Sequence, residues 1–227
     1  MKKKTAGMLV AVEIDAVLNK YAASLTEAEH AGFRVLTAET ERCRLVIVHT
    51  GAGEIAAAAG TQLLISEYKA DWILNFGVVG GLTEEMTLTR TCVVEKVVHY
   101  DFDTGEADGT PVGRYLEYPD IYLPTDAALL EKARRICPSL TPVICASADK
   151  FVADPEKKRE LHCRFGADIC EMEAAGIVLT CNRSRVPCLL IKAVSDSITG
   201  GAQEFWNTVG EAAAVCLEIA DRIMEEV

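Results

Sequence analysis

The sequence has no cysteine pair at CxxC spacing, no apolar run long enough to cross a membrane, few aromatic residues and too few cations to balance its acids. Its nine cysteines (Cys43, Cys92, Cys137, Cys145, Cys163, Cys170, Cys181, Cys188 and Cys216) are odd in number and scattered through apolar surroundings. That excludes a disulfide scaffold and suggests reduced thiols, packed as small hydrophobes, in a cytoplasmic protein. The N-terminus "MKKKTAGMLVAV" is basic and then apolar, but the apolar part is too short for a signal peptide and runs into Glu13 and Asp15. Nothing reaches the ~18 apolar residues of a membrane span. The 34 acidic side chains against 23 basic ones give a formal net charge of −11, which repels a phosphate backbone and an anionic lipid surface, so neither nucleic acid nor membrane is an expected partner. His30, His49 and His162 share no ligand spacing and His99 reads as a strand-end residue, so no metal is expected. A GxSxG elbow is also missing, and no cysteine has an evident histidine partner, which removes the usual signs of covalent nucleophilic catalysis.

What the sequence does have is apolar residues in half of its 227 positions, enough to bury a sizeable core in one domain over residues 1–227. Short β-branched runs at 8–12, 44–50, 71–78, 91–100, 141–147 and 187–195 read as strands. Helical spacing of apolar residues marks 53–68, 126–136, 174–184 and 203–227. The alternation predicts an α/β fold with a mixed, mostly parallel central sheet flanked by helices. Residues 101–126 carry too much Gly, Pro and Asp for either state and read as one long loop, a kind of segment that is often functional.

In open α/β sheets ligands sit beyond the carboxyl ends of the strands. Here those ends carry Glu13 and Asp15, "TGAG" (50–53), "GVVGG" (77–81), "HYDFD" (99–103), "SADKFV" (147–152), "CEMEA" (170–174) and "SDS" (195–197), so nearly every one is acidic or glycine-rich. Carboxylates converging on one mouth suit a reaction whose transition state is cationic, and cleavage of a glycosidic bond has that character. A departing nucleobase also needs a proton, which a buried carboxyl with a raised pKa can supply. Each motif also has a structural explanation: glycines that only supply positive φ, acids that only favour a helix start, a serine that only caps. If 170–174 is extended, Glu171 and Glu173 project to the same side.

The ordered set "TGAGEIAAAAG", "NFGVVGGL", "HYDFD", "SADKFV", "CEMEAAGIV" and "IKAVSDS" resembles the nucleoside phosphorylase and nucleosidase superfamily, in particular the bacterial 5′-methylthioadenosine/S-adenosylhomocysteine nucleosidases. The resemblance runs from about residue 8 to the C-terminus, and "EMEA" followed by "SD" is its most specific part. It implies that Asp196 protonates N7 of an adenine, with Ser195 and Ser197 beside it, and that Glu173 binds the ribose hydroxyls and steadies the cationic sugar. Met172 would pack on the ribose with Glu171 adjacent, Phe151 would stack on the base, and the backbone of Val152 would read the adenine edge. The family's water-activating glutamate follows its first strand. An ungapped match of "AVEIDAV" puts Asp15 there, one methylene shorter, while a gapped match selects Glu13; the ungapped match is preferred.

Two further departures from the family pattern are Val78 and Val79 in place of a frequent serine, and Lys192 in place of a frequent arginine. They suggest an altered preference at the 5′ group, where Ala52 would enlarge the pocket and Phe205 or Trp206 would close it. Phosphorolytic relatives carry arginines after the first strand and near the end of the third, and "VEIDAVLNKY" and "LNFGVVGG" have none, which favours hydrolysis. The expectation is an N-ribosyl hydrolase that uses water as co-substrate, needs no cofactor and forms a homodimer. A phosphate-dependent phosphorylase and a nucleoside-binding protein without catalysis are the alternatives.

Overall fold

A computed structural model describes residues 3–227 of the chain. The elements run β1 (Lys4–Val10), α1 (Ile14–Tyr21), β2 (Thr26–His30), β3 (Phe33–Glu39), β4 (Cys43–His49), α2 (Glu54–Ser66), β5 (Trp72–Gly81), β6 (Thr91–His99), α3 (Gly105–Asp108), β7 (Leu123–Pro124), α4 (Ala127–Ile136), β8 (Thr141–Ser147), α5 (Pro155–Phe165), β9 (Ile169–Glu171), α6 (Ala174–Ser184), β10 (Cys188–Asp196) and α7 (Ala202–Met224). All the strands join one mixed sheet with β5 at its hub, parallel to β1 and β10 and antiparallel to β9 at its far end. From β10 the pairing passes through β6, β8 and β9 back to β5, closing a ring, while β1, β4, β3 and β2 extend from the hub as a wing. The α/β class and helix-flanked, mostly parallel sheet expected from the sequence are those observed.

Every residue of β5 and β10 is buried, because helices cover both faces of the sheet at its centre. Met8, Leu74 and Leu189 point to one side, under α1, α4 and α7, whereas their neighbours Leu9, Ile73 and Leu190 point to the other, under α2 and α6. That is the period of two expected of strands. Burying each such side chain contributes about 1.5–3 kcal/mol. Among the described residues no helix is long and apolar enough to cross a membrane.

Several elements differ from the expectation. The β2–β3 hairpin turns through Ala31 and Gly32, both at positive φ, without the Asn-Gly or Asp-Gly signal that marks such turns. Its outer strand β2 is almost wholly exposed, so no apolar alternation marks it. Helix α5 is equally polar, although it carries full punctuation: the side chain of Asp154 caps it, Pro155 starts it and Gly166, at φ 62°, ends it. The expected loop 101–126 contains the short α3 and the β7 strand, which pairs with β6. Helix α1 and strand β9 were also unmarked in the sequence, and both position the cleft.

Candidate active site

The cleft opens beyond the carboxyl ends of β1, β5, β8 and β10, and its lining includes Glu13, Val78, Met172, Glu173, Ser195 and Asp196. Phe151, Val152 and Glu171 line it as well, so eight of the nine expected substrate-handling positions other than Glu13 meet in one cavity. The ninth, Asp15, does not. It lies exposed in the first turn of α1 and borders a separate groove between α1 and α7, with Asn19, Lys20 and Val209. Of the two residues, the cleft therefore holds Glu13, the choice of the gapped match, and not the preferred Asp15.

The reason is where the helix starts. Helix α1 begins at Ile14, which leaves Glu13 as its cap residue, 5% exposed, with the side chain turned back toward β5. The backbone N–H of Val78 donates to Glu13 Oε1 at 2.8 Å, and that of Val12 to Oε2 at 3.0 Å. A Cβ on Gly77 would stand 2.9 Å from Oε1, so a glycine there admits the carboxyl. Burial raises the Glu13 pKa, partly offset by the Val78 hydrogen bond and by Lys192.

Glu173 stands at the N-terminal cap position of α6, but its side chain turns away from the helix and its Oε1 accepts the backbone N–H of Gly53 at 2.8 Å. Burial, with the neighbouring charge of Glu171, pushes its pKa up to about 8. Glu171 ends β9 and is the best-supplied acid of the group. It accepts from Lys192 Nζ at 3.1 Å, from Ser147 Oγ at 2.5 Å and from the backbone N–H groups of Glu173 and Ala174 at 3.0–3.1 Å. Lys192 is itself fully buried. Burial works against its charge, but Glu171 and Glu173 more than offset that and hold its pKa above the usual lysine value.

Asp196 closes β10 just after a register shift against β5, where Val194 pairs with Val79 and Asp196 with Gly80. Such an irregularity re-aims a side chain. Ser195 Oγ lies 3.0 Å from Asp196 Oδ1, in donor range. On the other oxygen sits a group the sequence did not suggest: Lys158 of α5, 0% exposed, with Nζ 2.5 Å from Oδ2. The same ammonium donates to the carbonyls of Ser197 and Gly200 at 2.6 and 3.2 Å, so its three protons meet three acceptors. Burial raises the Asp196 pKa, and Lys158 only partly opposes it. The available signal was spacing, since Lys158 shares the buried face of α5 with Leu161 and Phe165. Ser197 contributes its backbone N–H to Glu204 rather than a side-chain bond to Asp196.

Phe151 is 48% exposed and meets Phe205 edge to face at 5.4 Å, which in turn meets Trp206 at 5.0 Å. These rings form an apolar wall at the mouth of the cleft, with Ala52 among the lining residues. Among the described residues no arginine lines the cleft, and no group of His, Cys, Asp and Glu is arranged to hold a metal ion. All nine thiols are free.

A ring-closed α/β sheet with buried carboxylates gathered at its strand ends defines an α/β protein with a cleft for a small polar ligand. Residues 5–227 match the sequence profile of the Phosphorylase superfamily, and the chain belongs to that superfamily. It is similar to a 5′-methylthioadenosine/S-adenosylhomocysteine nucleosidase of Shewanella denitrificans, with 31% identity covering 77% of this chain and 79% of the relative. An aminodeoxyfutalosine nucleosidase of Campylobacter jejuni is also 31% identical, over 79% of each chain. Among solved structures, the 5′-methylthioadenosine/S-adenosylhomocysteine nucleosidase of Neisseria meningitidis in complex with methylthio-immucillin-A superposes with a TM-score of 0.91 at 27% identity, covering 99% of this chain and 100% of that one.

Proposed function

We propose that this chain hydrolyses the N-glycosidic bond of an adenine nucleoside of the 5′-methylthioadenosine/S-adenosylhomocysteine type and releases free adenine. The observation that carries the proposal is that Glu13, Glu173 and Asp196, delivered by three different strand ends, line one cleft. Glu13, fixed by the Val78 N–H, takes the proton of the attacking water. Glu173 binds the ribose hydroxyls and, with Glu171 behind it, stabilises positive charge as the bond to the base breaks. Asp196 gives a proton to N7 of the leaving adenine, and the burial that raises its pKa favours the protonated form it needs. Met172 packs on the ribose, Phe151 stacks on the base, and the backbone of Val152 reads the adenine edge. Water rather than phosphate fits a cleft whose nucleophile side carries a carboxylate and no arginine. The relatives named as nucleosidases support the same choice.

The active form is a homodimer in the cytoplasm. Exposed Trp206, which lines the cleft beside Phe205, and exposed Ile55, close in sequence to the lining residue Ala52, support a covering partner, and the free thiols fit a reducing compartment. The test is a panel of 5′-methylthioadenosine, S-adenosylhomocysteine, aminodeoxyfutalosine, adenosine and inosine, incubated with and without phosphate, with free base measured by chromatography. Adenine release independent of phosphate is expected. Release that requires phosphate would make the chain a phosphorylase, and binding without release would make it a nucleoside-binding protein.

A further inference from the structure

Behind the sugar side of the cleft lies a buried acid that the mechanism above leaves unused. Glu54 opens α2, and its side chain enters the close contact between α2 and α6. A Cβ on Gly176 would stand 2.5 Å from the Glu54 carbonyl and 2.8 Å from its Oε2, so only a glycine lets the two helices meet around this carboxyl. Glu54 Oε2 accepts the backbone N–H of Gly176, and Oε1 is in hydrogen-bond contact with Ser147 Oγ.

Counting protons at Ser147 decides what Glu54 must be. The Oγ accepts from the N–H of Ala175 at 3.1 Å and touches two carboxyl groups, Glu54 and, at 2.5 Å, Glu171. A hydroxyl has one proton, so it donates to one of them and must accept a proton from the other. Glu171 already accepts from an ammonium and two backbone N–H groups, so its oxygens are engaged as acceptors. Glu54 Oε1 has no second donor among the described contacts.

We infer that Glu54 is a neutral carboxylic acid that donates through Ser147 to Glu171, a positioning pair that fixes the Glu171–Glu173 turn and so the sugar-binding acid. The inference rests on the proposed role of Glu173 for its effect on turnover, but not for the protonation of Glu54 itself. When Glu54 loses its proton, two like charges face one hydroxyl, and Glu171 no longer has Ser147 to itself. Asp149, whose Oδ1 accepts the Glu54 N–H, and Tyr115 are the other titratable groups facing it, and Lys192 reaches it through Glu171. Burial and the Glu171 charge push the Glu54 pKa up to about 7, with Asp149 adding to the rise.

The test is Glu54→Gln, whose amide can donate to Ser147 and accept from Gly176 at every pH. Infrared difference spectra of the wild type between about pH 6 and about pH 9 should show loss of a buried carboxylic-acid carbonyl band that the variant lacks. With adenosine and 5′-methylthioadenosine as probes, wild-type kcat/KM should fall roughly tenfold per pH unit above the Glu54 midpoint, and E54Q should move that limb to higher pH. Ser147→Ala should remove the difference between Glu and Gln at position 54. An infrared band unchanged in E54Q, or absent from the wild type, overturns the inference. Should E54Q fail to fold, the wild-type spectrum set against Ser147→Ala decides it, because an unshifted band in the alanine variant breaks the link. A band that behaves as expected in a protein that cleaves no nucleoside would instead sink the proposed function and leave the protonation standing.

Discussion

The base end and the sugar end of the cleft each hold one buried lysine, but the acids around the two lysines differ in number and in how they are bonded. At the base end Lys158 meets a single carboxylate, Asp196, and spends its remaining protons on two carbonyls. At the sugar end Lys192 bonds Glu171 while Glu173 and Glu13 also lie within its field, with Glu54 one hydroxyl further back. At the base end the lysine is bonded to the acid that carries the proton, so the proton is handled against a fixed counter-charge, with Glu204 nearby. The other end has more carboxyl groups than cations, and burial holds protons on several of them in the absence of further positive charge. It is therefore prepared for positive charge that forms only when the glycosidic bond breaks, the state an enzyme gains most by stabilising.

Breaking the base end should produce the largest effect. Asp196→Asn keeps the shape and the bond to Ser195 but has no proton to give, so adenine release should fall by roughly 10²–10⁴ while circular dichroism remains that of the wild type. An unimpaired variant would take Asp196 out of the chemistry.

The two lysines sharpen the contrast in a second way. Lys158→Met removes the charge that opposes protonation of Asp196, so the group holds its proton to higher pH, and the alkaline limb of kcat should move upward by about 1–3 units. Lys192→Met instead strands several buried carboxylates. Its main effect should be on folding, a loss of about 3–5 kcal/mol in denaturant unfolding, since removing one partner of a buried pair leaves an uncompensated charge. If both variants changed the pH profile alike and neither changed stability, the two ends would not differ as described.

Much of this was legible in the sequence because apolar strands ending in acids are conspicuous. β10 announces itself and ends in the acid of "SDS", and β5 announces itself and ends in glycines, whereas "EME" was found by its acids alone because the short β9 leading into it left no apolar pattern. The choice between Glu13 and Asp15 was not legible, for a physical reason. Two residues apart after a strand, they alternate together, and only the start of α1 at Ile14 separates a carboxyl bonded to Val78 from one facing water in the first helical turn. Lys158 was hidden for a different reason: α5 is polar overall, and the two apolar residues on its buried face, Leu161 and Phe165, do not by themselves tell a buried lysine from a surface one. Ser147 and Glu54 lie 93 positions apart, and their contact follows from the packing of α2 against α6, which no local pattern records.

The smallest effect expected is on the pH dependence of stability, and it too separates the two ends. Glu13, Glu54, Glu173 and Asp196 all bind their protons more tightly in the folded chain, chiefly through burial. For an acid whose folded pKa is raised, the contribution to stability is complete below the ordinary carboxylate range and is lost as pH rises through the folded value. With folded values of about 7 for Glu54 and about 8 for Glu173, the loss should run from the mildly acidic range to about pH 8. Thermal unfolding should therefore give its highest Tm on the acid side of neutrality and a decline of roughly a few degrees toward about pH 9. Glu173→Gln, uncharged at every pH, should flatten that decline, whereas Lys158→Met should leave the part due to the sugar end in place. A Tm that rises with pH across this window would mean that the acids at the sugar end are ionised in the folded protein, and that this end does not hold protons against its burial as described.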